Sequence, residues 1–439
     1  MKKAPILTPR WTSLKPHFEQ SRLWNIGTRF RCVPAGRRSG KTELAKRFGV
    51  IRAMSYTASS DGWYVFAAPT HMQAKRIFWR DLKALVPKQF MRGRPSESEL
   101  TIRLINGAEI TVLGMDAPER IEGRALDWIC CDEFANMKAE VWSENIRPAL
   151  STLGRSGSAW FIGVPEGRNH YYHMAMSAME GKVPEWSYHA WPSADILDPA
   201  EIEAARRDLD ELTFAQEFEA SFVNFQGRAY HPFSREIHCR PLEYWPNRPL
   251  IFAFDFNVSP GVAVICQEQD DDGDPYTAVI GEVYIPRHSN TPMVCRRLVK
   301  DWGHHKGDVH AYGDATGGAA GTAQVRGSDW DIIKQELRPA FGDRFKMRVP
   351  RSNPRERVRI NALNARLMTA DGKAHLRIDS DEAPMCVNDL EGCILKEGSN
   401  GELDKNHDPV LTHLTDALGY YIEKAHKPLA KIITRSTPI

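Results

Sequence analysis

Ala35-Gly36-Arg37-Arg38-Ser39-Gly40-Lys41-Thr42 has the form of a loop that wraps phosphates and opens a helix. In such a loop the backbone N–H groups turn inward around the phosphates of a nucleotide. The lysine reaches the outer phosphates and the terminal hydroxyl holds Mg²⁺. The expected ligand is ATP with Mg²⁺, held by Ser39, Gly40, Lys41 and Thr42, with Arg37 placed to sense the γ-phosphate in cis. Ala35 stands where glycine is usual; it is small, but permits a tight turn less freely.

The context supports the motif. Thr28 to Pro34 reads as a short strand and Glu43 to Ser55 as a helix without proline, which gives the required order of strand, loop and helix. About ninety residues on, the apolar run Trp128-Ile129-Cys130-Cys131 ends in Asp132-Glu133. Asp132 is expected in the Mg²⁺ shell, and Glu133 is expected to take a proton from the attacking water. Taken alone, this acidic pair reads as a solvated strand end; the phosphate loop upstream favours chemistry.

The 439 residues are enough for two or three domains, and 42% hydrophobic residues allow a sizeable core. Fifty-eight basic against 56 acidic residues leave a net charge of +2, so any DNA-binding face must be local. The eight cysteines form no Cys-x-x-Cys pair, which predicts a reduced intracellular protein without a zinc site. No signal peptide or membrane span is expected.

Residues 1 to about 180 alternate strand-like and helix-like segments. Trp63–Thr70 reads as a strand running into a turn, followed by a helix with Gln73, Lys75 and Arg76, and further strands are predicted at Ile110–Leu113 and Ala159–Pro165. Residues 199–224 read as helical, and Pro232, Pro241, Pro246 and Pro249 then punctuate a linker. A second pattern starts with the strand Leu250–Asp255, followed by strands at Val262–Gln267 and Ala278–Ile285. The acid-rich Asp270–Pro275 between those two reads as a hairpin turn rather than a calcium loop, because the ligand spacing and closing glutamate are missing. Val309–Asp314 is a further strand and Leu411–Ala425 a helix.

Asp255 and Asp314 end strands, and Asp416 lies in the late helix. Acids so placed can converge and hold two divalent ions, Mg²⁺ or Mn²⁺, that clamp a phosphodiester. His413 is three residues before Asp416, on the same helix face, as a metal ligand, a phosphate contact or a structural residue. Asn257 and Glu282 could join the cluster. The basic run Arg344, Lys346, Arg348, Arg351, Arg355, Arg357 and Arg359 reads as a DNA-backbone contact in preference to a solvated loop.

Several segments stand in a telling order: Pro16-His17-Phe18-Glu19-Gln20, Gly36–Thr42, Gly114-Met115-Asp116-Ala117-Pro118 with Gly123-Arg124, Phe161–Arg168, Phe214–Phe222, and then Asp255, Asp314 and Asp416. This series resembles the large terminase subunit of tailed bacteriophages and prophages. The resemblance implies an α/β chain: a doubly wound, mainly parallel P-loop ATPase domain (1–185), a lid and linker (186–245), a ribonuclease H-like nuclease domain (246–427) and a tail (428–439). Gln20 would sit on the adenine side, and Phe161–Arg168 would couple hydrolysis to movement, with Val164 where a hydroxyl residue often stands. Arg124, or alternatively Arg120, would act on a neighbouring subunit's ATP. The implied function is ATP-driven packaging of double-stranded DNA with metal-dependent cutting of concatemers, in the cytoplasm of an infected bacterium. The implied partners are a portal protein and a small terminase subunit, with a homo-oligomeric ring on the capsid and no membrane. A cellular helicase or repair ATPase whose second domain does not cut is the alternative. A third reading, a non-catalytic DNA-binding assembly protein, is disfavoured by the intact Lys41, Thr42, Asp132 and Glu133.

Overall fold

Strands buried on both faces read as continuous apolar runs, and this chain builds two sheets from such runs. The computed structural model describes residues 17–426 except 58–60, 168, 182, 224–226, 257–259, 316–327, 397, 398, 400 and 409. Arg168, Asn257 and the 428–439 tail lie outside the described residues. The chain divides into two compact units, one of residues 1–202 with 215–224, the other of 203–214 with 225–439.

The first unit holds a seven-stranded sheet. Its strands are β1 (Phe30–Pro34), β2 (Trp63–Ala68), β3 (Thr101–Arg103), β4 (Glu109–Gly114), β5 (Trp128–Cys131), β8 (Ser158–Gly163) and β9 (Trp186–Tyr188), in the spatial order β3-β4-β2-β5-β8-β1-β9. The short pair β6 (Ser151–Thr152) and β7 (Arg155–Ser156) forms a separate hairpin. Every pairing in the large sheet is parallel except β3 with β4. Side chains alternate between its faces. Trp128 and Cys130 enter one core together with Leu44 and Phe48 of the Lys41–Met54 helix, while Ile129 and Cys131 enter the other. Asp132 continues the parity of Trp128 and Cys130, so the register aims it at the start of that helix.

The expected helix after β2 begins at His71, where Thr70 and Gln73 form a reciprocal cap. The helical stretch expected over 199–224 is two helices, Pro199–Asp208 and Glu211–Phe218. The interruption has a local cause: the Asp210 carboxylate accepts from the Thr213 N–H at 3.1 Å and starts the second helix.

The second unit holds a six-stranded sheet of β10 (Leu250–Asp255), β11 (Gly261–Asp271), β12 (Asp274–Ile285), β13 (Val309–Gly313), β14 (Phe345–Met347) and β15 (Leu376–Ile378), in the order β14-β13-β10-β11-β12-β15. β10, β11 and β12 form an antiparallel meander, and β13 runs parallel to β10. The acid-rich turn is the expected hairpin, with Asp272 and Gly273 both in the left-handed region that a two-residue turn requires. Leu250, Phe252 and Phe254 face one core; Ile251 and Ala253 face the other, where Leu414, Ala417 and Leu418 of the His413–Ala425 helix pack. Asp255 has the parity of Ile251 and Ala253 and therefore turns toward that helix. In register, Phe254 is opposite Gly313, which brings Asp255 and Asp314 side by side one residue beyond. Among the described residues no helix is long and apolar enough to cross a membrane.

Candidate functional site

The phosphate loop leaves β1 and is braced by segments far away in the chain. Ala35 N–H donates to the Gly163 carbonyl at 3.0 Å, Gly36 N–H to Trp191 at 3.0 Å and Arg37 N–H to Glu217 at 2.6 Å. Trp191 Nε1 and Gln20 Nε2 both donate to the Ser39 carbonyl, at 2.9 and 3.0 Å. Ser193 Oγ donates to the Arg37 carbonyl at 2.7 Å. Gly36 has no space for a side chain: a Cβ there would lie 2.6 Å from Ser193 N and 2.7 Å from the Phe218 carbonyl. Trp191, Ser193 and Glu217 were not singled out in the sequence. For Trp191 and Ser193 the one local signal is the alternation Trp186-Ser187-Tyr188-His189, which marks the missed strand β9 beside β1, whereas Glu217 lies in the Phe214–Phe222 segment.

Lys41 is buried, with its ammonium donating to the Ala35 and Gly36 carbonyls at 3.2 Å each. Thr42 Oγ1 donates to Asp132 Oδ2 at 2.8 Å. Asp132 Oδ1 accepts from the Glu133 N–H at 3.0 Å. Glu133 itself has φ 53, ψ 42, a left-handed conformation that costs a non-glycine residue about 1–3 kcal/mol and clusters at working sites. Burial, and then the Asp132 charge beside it, pushes its carboxyl up to about 7. The arrangement fits a magnesium nucleotide. Two hard oxygen donors meet beside a lysine, while Gln20 Oε1 and Ser39 Oγ are buried with no hydrogen-bond partner among the described residues.

The remaining predicted residues of this unit take other positions. Arg37 pairs with Glu217. Arg124 pairs with Glu109 at 2.6 Å and lies over the Trp63 ring at 4.7 Å, whereas Arg120 is exposed on the Pro118–Ile121 turn. Val164 is buried directly after β8, the strand between β1 and β5.

In the second unit Asp255 ends β10, Asp314 follows β13 directly, and Asp416 lies in the first turn of the His413–Ala425 helix, near enough for its charge to act on Asp255. His413 Nδ1 lies 3.1 Å from Asp255 Oδ2. Asp314 Oδ1 accepts from Asn353 Nδ2 at 2.5 Å, and Asn353 Oδ1 accepts from the Ala315 N–H at 2.8 Å. Asp416 has Arg359 Nη1 at 2.8 Å and Lys405 Nζ at 2.7 Å. Asp389 holds the start of the helix by accepting from Leu414 and Thr415 N–H at 2.8 and 3.2 Å. Burial raises the Asp255 carboxyl; the His413 contact opposes this and the nearby Asp416 charge adds to it. The donors are hard carboxylates that favour Mg²⁺ or Mn²⁺. Among the described residues, no three His, Cys, Asp or Glu side chains are gathered around one ion position.

Two expectations change. Glu282 accepts from the Met385 and Cys386 N–H groups at 3.0 and 2.8 Å, so it caps the Pro384–Gly392 helix. The basic run is not one surface. Arg344 donates to the His305 and Gly307 carbonyls, Lys346 pairs with Asp308, and Arg359 is buried against Asp416. Arg348, Arg351 and Arg355 are exposed.

The first unit is thus a P-loop NTPase fold, joined in the same chain to a unit of ribonuclease H-like fold. Residues 32–236 match the family model described as terminase large subunit, T4likevirus-type, N-terminal. The terminase large subunit of Escherichia phage T5 is 26% identical over 223 residues, 49% of each chain. That of Thermus phage G20c is 28% identical over 249 residues, 49% of this chain and 50% of that one. The chain spans about half the length of the curated relatives it matches. The large terminase of a thermophilic bacteriophage has the same fold, with TM-score 0.61 at 14% identity over 93% of this chain and 98% of that one. Its complex with ADP gives TM-score 0.60 at 15% identity over the same shares. The N-terminal half of the chain is thus similar to terminase large subunits, and the α/β fold of both units is that of phage large terminases.

Proposed function

We propose that this chain is the motor and nuclease of viral DNA packaging. The observation that carries the motor half is the meeting of Thr42 and Asp132 at 2.8 Å beside the buried Lys41. Lys41 and the loop N–H groups take the phosphates, Thr42 and Asp132 hold Mg²⁺, and Gln20 faces the base. Glu133 takes a proton from the attacking water; a carboxyl titrating near 7 is matched to that task. Arg37 stays with its own subunit's phosphates. Arg124 is the candidate for a neighbour's site, with the exposed Arg120 as second choice. The complexes of the thermophilic phage's large terminase with ADP and with ATP-gamma-S support nucleotide binding here.

The second unit would cut the DNA that the first moves. Asp255, Asp314 and Asp416 would hold two Mg²⁺ or Mn²⁺ ions, which supply activation of water and charge neutralisation when bound. Residues 186–245 would form the lid and linker, with Trp186–Tyr188 at their start contributing strand β9 to the sheet of the first unit. Double-stranded DNA, a portal protein, a small terminase subunit and further copies of the chain in a ring are the partners this reading requires.

The test is ATP-dependent displacement of a third strand from a DNA triplex. A packaging motor strips the third strand and leaves the duplex paired. Separation of the duplex strands would favour the helicase reading instead.

A further inference from the structure

We infer that Lys405 is an internal counter-ion that holds Asp416 until a backbone phosphate of DNA draws it away, freeing the carboxylate for a divalent ion. This rests on the nuclease reading above. Asp416 is buried, and its two oxygens are divided between two cations, Oδ1 to Arg359 at 2.8 Å and Oδ2 to Lys405 at 2.7 Å. The two cations differ in how far they can move. The Arg359 side chain is 8% exposed and is covered by the Tyr420 ring at 4.2 Å. Lys405 is half exposed, on the segment before the His413–Ala425 helix, and its other contact is Glu356 at 3.3 Å. Arg359 is the fixed partner and Lys405 the removable one.

A buried carboxylate must be compensated by positive charge, which one arginine already supplies. The lysine takes one lone pair of Oδ2, and its charge repels a divalent ion on the same oxygen. Metal entry therefore requires the ammonium to leave. A phosphate oxygen is a suitable destination for its three donors. In the exchange, the ammonium passes from carboxylate to phosphate and the carboxylate passes to the divalent ion, with no bond broken. The metal site would then be filled in step with DNA arrival.

The experiment is a Mn²⁺ titration of the full chain without nucleotide, read from the electron paramagnetic resonance signal of free Mn²⁺. The nuclease-site component is the part lost in Asp416→Asn. Lys405→Gln and Lys405→Ala should each tighten that component about tenfold, a typical coupling between linked sites. Lys405→Arg, which keeps the charge, should stay near wild type. A short DNA duplex should raise wild-type affinity by a similar factor and leave Lys405→Ala almost unmoved. Wild-type or weaker binding in both neutral variants overturns the role of Lys405. If Asp416→Asn binds Mn²⁺ as wild type does, the nuclease reading fails and this inference with it, an outcome distinct from failure of Lys405 alone.

Discussion

Thr42 and Asp132 are 90 residues apart in the chain, yet the threonine hydroxyl donates to the aspartate carboxylate at 2.8 Å. The contact follows from strand parity. Asp132 extends the face of β5 that packs on the Lys41–Met54 helix, and Thr42 is in the first turn of that helix. The sheet thus brings together the two oxygen donors to which the proposed function assigns Mg²⁺.

Gly36→Ala should abolish ATP binding. The added methyl meets backbone at Ser193 and Phe218, and backbone cannot rotate away. Overpacking of this kind costs about 1–3 kcal/mol, so a lower unfolding midpoint should accompany the loss, measured by calorimetry and thermal melts.

Glu133→Gln should cut ATP turnover by about 10²–10⁴-fold while nucleotide affinity survives. In the wild type, the base form is gained as pH rises through about 7. kcat/KM for ATP should therefore rise roughly tenfold between pH 6 and pH 8, as for one group titrating near 7. The variant should show a flat profile over that range.

Asn353→Ala should slow plasmid cutting about tenfold and spare ATP hydrolysis. Asn353 touches Asp314 through its amide and the following N–H through its carbonyl, so its loss frees the carboxylate to turn. Nicking rates on supercoiled DNA, compared with phosphate release, would reveal the difference.

Glu268→Gln tests a structural carboxylate. Burial alone would raise it, but His426, Arg366 and Thr277 outweigh burial and hold it at about 2. A depressed carboxylate stabilises the fold above its unfolded value near 4.3 and loses that stabilisation as pH falls toward 2. The side chain is 35% exposed, so water screens the pairs and the expected cost at pH 7 is about 1 kcal/mol. Urea melts should show this gap closing as pH falls below about 4.

Local pattern pointed to the candidate residues but not to their scaffolding. The phosphate loop, Asp132-Glu133 and the strand-ending Asp255 and Asp314 are short-range signals, each carried by a few adjacent residues. Trp191, Ser193 and Asn353 act on those residues from distant segments, and the pairings that bring them there leave no local mark. Arg359 shows the reverse problem. Its neighbours Arg355 and Arg357 made it look like part of a basic surface, but the Glu356–Leu367 helix turns it inward to Asp416. Asp210 was legible as a helix cap yet passed over within an otherwise helical stretch.

Two phosphate-handling centres on one chain are the central claim. Its most direct test is to measure ATP hydrolysis and Mg²⁺-dependent plasmid cutting in parallel for wild type, Glu133→Gln and Asp314→Asn. The prediction is a crossed result, with Glu133→Gln losing hydrolysis alone and Asp314→Asn losing cutting alone. Cutting retained in Asp314→Asn, or both activities lost together in either variant, would contradict it.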